Sequence, residues 1–226
     1  MDHFTRFLRP KPVPPTRDWL SFLFLFLRGV TMNRIIAYFI GLAFLGLGIT
    51  IAIQADIGTG AWDALNVGLA KLTGLSVGSW VIIVGIALIF INAILMRERP
   101  DFYAMLTSFS LGLIIDGWFL IISVEPTAWI WKFLLFILGM LVTALGLATY
   151  LQAKFAPTSI DRLMYAISKL TGFSLRTSKT IGEVIALLLA WMIGGPIGIG
   201  TILITFLIGP LLHLFLPYME SLFHTK

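Results

Sequence analysis

The hexapeptide Lys71-Leu72-Thr73-Gly74-Leu75-Ser76 returns ninety-eight positions later as Lys169-Leu170-Thr171-Gly172-Phe173-Ser174. Agreement extends back through Asp63/Asp161, Leu65/Leu163, Gln54-Ala55/Gln152-Ala153 and Leu47-Gly48/Leu145-Gly146, giving eleven identities in thirty-one ungapped positions. Polar residues held in register without a gap mark an internal duplication rather than shared apolar composition. A duplicated chain builds one unit twice and joins the copies, so the character of one unit constrains the whole.

Each unit is a membrane unit. The chain is 58% hydrophobic and 12% charged, with mean hydropathy +0.97, whereas soluble domains carry about 25% charged residues. Six apolar segments, at about 35–54, 77–96, 102–123, 129–151, 177–195 and 199–217, approach the roughly 20 helical residues that cross a bilayer. The absence of cysteine excludes disulfides, thiolate metal sites and cysteine nucleophiles. Residues 1–18, basic and rich in proline, predict an extended tail. Residues 19–27 are apolar but end at Arg28 without a small-residue cleavage site, which predicts an interfacial helix rather than a signal peptide.

Between the first two spans lies a shorter segment, 58–72, whose copy is 156–170. Trp62, Leu65, Leu69 and Leu72 recur at helical spacing, matched by Ile160, Leu163, Ile167 and Leu170. Both read as amphipathic helices too short to span, lying on the membrane or re-entering it. The expected fold is therefore all-α: six transmembrane helices in two repeats, 35–123 and 129–217, each with one short helix. Residues 1–34 form an N-terminal region and 218–226 a tail.

Three spans per repeat is odd, so the second copy must be inverted. With the N-terminus cytoplasmic, the inside segments hold Arg6, Arg9, Lys11, Arg17, Arg28, Arg34, Arg97, Arg99, Lys154, Arg162, Lys169, Arg176, Lys179 and Lys226. Only Lys71 and Lys132 fall outside. The positive-inside rule thus places both termini in the cytoplasm of a plasma-membrane protein. It also accounts for the net charge of +5 without a nucleic-acid partner.

The run Gly58-Thr59-Gly60-Ala61-Trp62-Asp63, followed by Gly74-Leu75-Ser76-Val77-Gly78 and later by Gly112-Leu113-Ile114-Ile115-Asp116, resembles the YczE/YitT type of bacterial integral membrane protein. Members commonly carry a proline before the Trp-Asp pair, where this chain has Ala61. The resemblance covers about residues 35–217. It implies a multi-pass plasma-membrane protein of a type often suspected of transport.

Asp63 and Asp161 are the acidic pair kept in both copies. They fit either a cation or substrate site where two half-helices meet, with Trp62 against the substrate, or capping of the first helical turn. Asp116, inside the third span, has no basic residue within four positions. It must be protonated, face water, or meet a partner on another helix. Aligning Gly112 with Gly209 makes His213 its counterpart, an interface residue or a proton relay. Glu183 stands one turn after Lys179, as an ion pair or a coupling carboxylate. Gln54 and Gln152 match at equivalent helix ends and suit substrate binding or interhelical bonding.

Gly172-Phe173-Ser174 with His213 resembles an intramembrane serine protease, yet Gly74-Leu75-Ser76 repeats the pattern with no histidine after it. No metal-ligand spacing, P-loop or dinucleotide fingerprint is present, so no enzyme, cofactor or metal is expected. Two functions remain: a small-solute transporter or binding subunit of one, with cation or proton coupling as one form of it, or a membrane-embedded accessory protein that moves nothing. The expected partners are the lipid bilayer, an unidentified solute or ion, and a second copy or a coupling protein.

Overall fold

A computed structural model of the chain describes residues 32–155 and 158–223. The expected basic tail and interfacial helix lie outside the described residues, as does the end of the C-terminal tail. The described residues form eight helices: α1 (Met32–Gln54), α2 (Ala61–Thr73), α3 (Val77–Met96), α4 (Phe102–Ile121), α5 (Trp129–Gln152), α6 (Ser159–Thr171), α7 (Leu175–Met192) and α8 (Ile199–Phe223). The chain is an all-helical, multi-pass membrane protein.

Five helices, α1, α3, α4, α5 and α8, are long and apolar enough to cross a membrane. A lipid-exposed backbone must satisfy its polar groups within the segment, which leaves the helix as the solution for such sequences. The expected fifth span, α7, has 18 residues, about 27 Å of helix. Arg176, Lys179 and Glu183 in its first three turns take it outside the composition of the other five. Helix α8 runs through Pro210 and Pro217 to Phe223, beyond the expected end near 217. Met219 packs on the core there, and Asn33 Nδ2 donates to Phe223 O at 3.3 Å.

The repeated hexapeptide is a helix boundary. Gly74 and Gly172 end α2 and α6 in the left-handed conformation at φ 77° and 73°, which glycine adopts without steric cost. Ser76 and Ser174 then cap α3 and α7, accepting from Ser79 N and Thr177 N at 3.1 and 3.2 Å. Lys71 and Lys169 sit in the last turn of their helices, where a cation complements the helix dipole.

Helices α1 and α5 form an antiparallel central pair. A Cβ at Gly41 would strike the Tyr150 backbone, at Gly48 Thr143 and the Gly139 carbonyl, at Gly139 Ala52, and at Gly146 Leu45. Gly41/Gly139 and Gly48/Gly146 are each ninety-eight positions apart, so the same small-residue contact is made from both sides. Small residues let helices approach where lipid supplies no hydrophobic drive. Tyr38, Leu42, Leu45, Ile49, Ala148 and Tyr150 build a core on this seam.

The remaining contacts come in equivalent pairs, of which α3–α6 and α2–α7 cross between the halves. Helix α4 packs on α1 and α8 on α5; α3 packs on α6 and α7 on α2; α2 touches α3 and α6 touches α7. The same crossing joins the ends of the central pair. Lys132 Nζ reaches Asp56 Oδ2 at 2.7 Å, while Arg34, ninety-eight positions before Lys132, donates to the carbonyls of Ala153 and Lys154 at 2.8 and 3.0 Å.

One pair departs from this scheme. Helices α3 and α4 touch backbone to backbone at Gly78 and Gly112, whereas their counterparts α7 and α8 scarcely touch. Arg176 occupies the position equivalent to Gly78, and a Cβ on Gly209, the counterpart of Gly112, would meet nothing within 4 Å.

Candidate functional site

The short helices do not lie flat on the bundle. The first turn of α2 is buried or half-buried, as is that of α6 apart from the exposed Ile160, while both C-terminal ends, including Lys71 and Lys169, are exposed. Asn92 Nδ2 on α3 donates to Ser159 O at 2.8 Å, and Ser159 Oγ lies 3.4 Å from Ser108 Oγ on α4, so α6 begins deep between α3 and α4. Helix α2 begins beside the loop that leads into α8: Gly200 N donates to Ile57 O at 2.8 Å and Thr59 N to Pro196 O at 3.2 Å.

Trp62, at the start of α2, reaches a space between α6 and α7. A cavity of about 30 Å³ is lined by Trp62 from α2, by Ile160, Asp161, Leu163 and Met164 from α6, and by Ser178, Lys179, Gly182 and Glu183 from α7. This volume has room for one or two water-sized species. Three residues singled out from the sequence, Trp62, Asp161 and Glu183, therefore share one wall-to-wall space.

Thr158 caps α6. Its Oγ1 accepts from Asp161 N at 3.2 Å and donates to Asp161 Oδ2 at 2.8 Å, so the carboxylate is tied to the cap and still lines the cavity. Burial pushes its pKa up, opposed by the Thr158 hydrogen bond and the Lys179 charge. Lys179 Nζ and Glu183 Oε1 are 3.7 Å apart one helical turn from each other. Ser178 was not singled out from the sequence. It is 0% exposed, and its Oγ has no hydrogen-bond partner among the described residues. The legible signal was its i,i+4 relation to Gly182 on the face that also carries Glu183 one position on.

Asp63 does not line this cavity. Its N-cap is Gly60, which has no side chain to bond it, and its carboxylate makes no hydrogen bond or ion pair among the described residues. Burial pushes its pKa up to about 7. A carboxyl with a raised folded pKa stabilises the fold when protonated, and that contribution is lost as pH rises from about 4 to about 7. Asp63→Asn is therefore expected to raise Tm at pH 8 and leave it nearly unchanged at pH 4, measured by thermal unfolding in detergent.

Asp116 finds its partner on another helix. Ser76 Oγ donates to Asp116 Oδ2 at 2.6 Å and Gly78 N donates to Oδ1 at 2.8 Å, so both oxygens close the N-terminus of α3. Asp116→Asn is expected to cost about 1–2 kcal/mol of stability, the worth of hydrogen bonds to a charged group, read as a fall in Tm. Gln54 clamps the α4–α5 connection, donating to Ile122 O at 2.6 Å and accepting from Val124 N at 3.0 Å. Gln152 is buried and its Nε2 donates to Ala148 O at 3.4 Å. His213 lies on α8, remote from the cavity lining.

Arg162, in the first turn of α6, pairs with Asp101 and approaches Glu98 Oε2 at 3.7 Å, and near the other end of the helix Lys169 Nζ meets Glu98 Oε1 at 3.0 Å. Asp101 also caps α4, accepting from Tyr103 N and Ala104 N at 3.0 and 3.3 Å. These bonds fix α6 against the α3–α4 connection. They hold its first turn at the cavity.

Long apolar helices packed through glycine, with two short helices sunk N-terminus first into the bundle, define the class: a multi-pass helical membrane protein. The chain belongs to a family of unknown function, DUF6198, whose sequence model matches residues 32–217. It is 41% identical over 191 residues to "Uncharacterized protein YyaS" of Bacillus subtilis (strain 168), covering 84% of this chain and 95% of that protein. It is 33% identical over 181 residues to "Uncharacterized membrane protein YczE" of the same organism, covering 80% and 84%. A Haemophilus influenzae protein is 26% identical over 187 residues, covering 81% and 83%. The resemblance to the YczE type read from the Trp62-Asp63 region thus extends over the bundle. No solved structure gives a significant match.

Proposed function

We propose that this protein is a small-solute transporter, or the solute-binding subunit of one, in a bacterial plasma membrane. Six crossings in two inverted repeats bring both termini to the cytoplasm, and no enzymatic step is involved. The observation that carries the reading is the cavity between the N-terminal turns of α2 and α6, where Trp62 of one half faces Asp161 of the other. Half-helices that end inside a bundle, one from each repeat, are the usual means by which transporters build a midplane site from helix dipoles and unpaired backbone groups. The antiparallel pairing of the equivalent helices α1 and α5 supports the inversion. The orientation rests on fourteen of sixteen basic residues falling on one side.

The cavity at about 30 Å³ is smaller than an organic solute. A solute enters when the two halves shift against each other. The weakly packed α7–α8 pair is the part of the second half free to move, because its counterpart α3–α4 is held by Gly78, Gly112 and Asp116.

The test is thermal unfolding of the detergent-purified chain against ions, amino acids, vitamins and nucleosides, with Trp62→Ala alongside. A transporter gives a compound that raises Tm in wild type and not in Trp62→Ala, and that vesicles containing the protein take up. If no compound stabilises the protein, and Trp62→Ala cells keep the function that deletion removes, an accessory role in the membrane replaces transport.

A further inference from the structure

We propose that the cavity at the α2–α6 meeting point holds one small monovalent positive charge, an alkali cation or a proton, between Asp161, Glu183 and Ser178. This rests on the transport reading and assigns the space as it stands to the coupling ion, the solute joining it when the halves shift.

Charge, size and donor type converge on this. The lining carries two carboxylates, Asp161 and Glu183, and one ammonium, Lys179, a net charge of −1 when all three are ionised. One positive charge neutralises it. A divalent ion would leave the site positive, and calcium takes six to eight oxygen ligands, more than this lining offers. The volume of about 30 Å³ suits an ion or a water-borne proton and excludes an organic cation.

Ser178 is the independent observation. A fully buried hydroxyl without a partner forfeits a hydrogen bond, which costs stability unless something else completes it. Ser178 is 0% exposed, its Oγ has no partner among the described residues, and the residue lines the cavity. An alkali cation would take that oxygen as a ligand; a proton carried on Asp161 with a bridging water would take it as a hydrogen-bond partner.

The groups around Asp161 are Tyr150 from α5, Tyr165 and Arg162 on its own helix, and Lys179 and Glu183 from α7. Arg162 is engaged by Asp101 and Glu98. Lys179 is therefore the cation that faces the cavity, and it competes with the incoming charge. A site with a built-in competing ammonium binds its ion weakly enough to release it, as a coupling site requires.

The experiment uses the full chain in detergent, with Asp63→Asn as the background so that the second raised carboxyl does not contribute to the pH profile. Tm is measured from pH 5.5 to 8.5 in sodium, lithium, potassium or choline chloride at equal ionic strength. An alkali site raises Tm in sodium or lithium over choline at pH 8, with the midpoint concentration at least tenfold higher in Ser178→Ala and the effect lost in Asp161→Asn. A proton site shows no difference among salts but a rise in Tm on acidification that Asp161→Asn or Glu183→Gln abolishes. Identical Tm in all salts with a pH profile unchanged in Ser178→Ala and Glu183→Gln overturns the assignment. Solute stabilisation measured in choline at pH 8 is read separately. If it persists while every ion effect is absent, the ion assignment fails and the transport reading stands; ion binding with no solute response leaves the ion site and removes transport.

Discussion

Gly48→Leu is expected to keep the two halves from closing and to cost about 3 kcal/mol or more, the upper range for overpacking a tight contact. Even a Cβ at this position would enter the space of Thr143 and of the Gly139 carbonyl. Those atoms belong to the backbone and first side-chain atoms of α5, so no rotamer change relieves the clash. Gly146→Leu should do the same from the other side, against Leu45. Gly117→Leu, where nothing lies within 4 Å, should stay within about 0.5 kcal/mol of wild type. Thermal unfolding and the monodisperse yield in detergent separate these outcomes.

Asp101→Ala is the second large effect. It removes the cap of α4 and the partner of Arg162 together. Loss of a cap costs about 1 kcal/mol, and leaving a mostly buried guanidinium with only Glu98 at 3.7 Å adds about 2 kcal/mol, below the range for a fully buried pair. Asp101→Asn keeps the cap and loses the charge, so it should fall between wild type and alanine. The loss is expected to concentrate in α6, and hydrogen exchange should quicken over 159–171 while α1 stays protected.

Much of the fold was legible in the sequence because lipid leaves few alternatives. Apolar runs near 20 residues become helices, and Gly74-Leu75-Ser76 can be read as a stop and a cap. The site was legible in part. Trp62, Asp161 and Glu183 line one cavity, and the duplication that drew attention to Asp161 also sets where α2 and α6 begin. Asp116 and Gln54 bond to groups forty and nearly seventy residues away, distances at which helical spacing carries no information. Gly41 lay in register with Gly139, but its role depends on Tyr150 of the facing helix. Ser178 drew no attention because a serine near a helix start is ordinary; what marks it is an unbonded hydroxyl at full burial.

A site shared by the two repeats requires Trp62 of α2 to stand beside the first turn of α6. The chain contains no cysteine, so Trp62→Cys with Ile160→Cys can be introduced without other changes and treated in membranes with a short bifunctional thiol reagent. Asp56→Cys with Lys132→Cys, replacing the ion pair at 2.7 Å, serves as the positive control. The predicted result is a linked peptide joining α2 to α6 in high yield. Linkage of the control pair with none between positions 62 and 160 would show that the short helices lie apart, and would contradict the site.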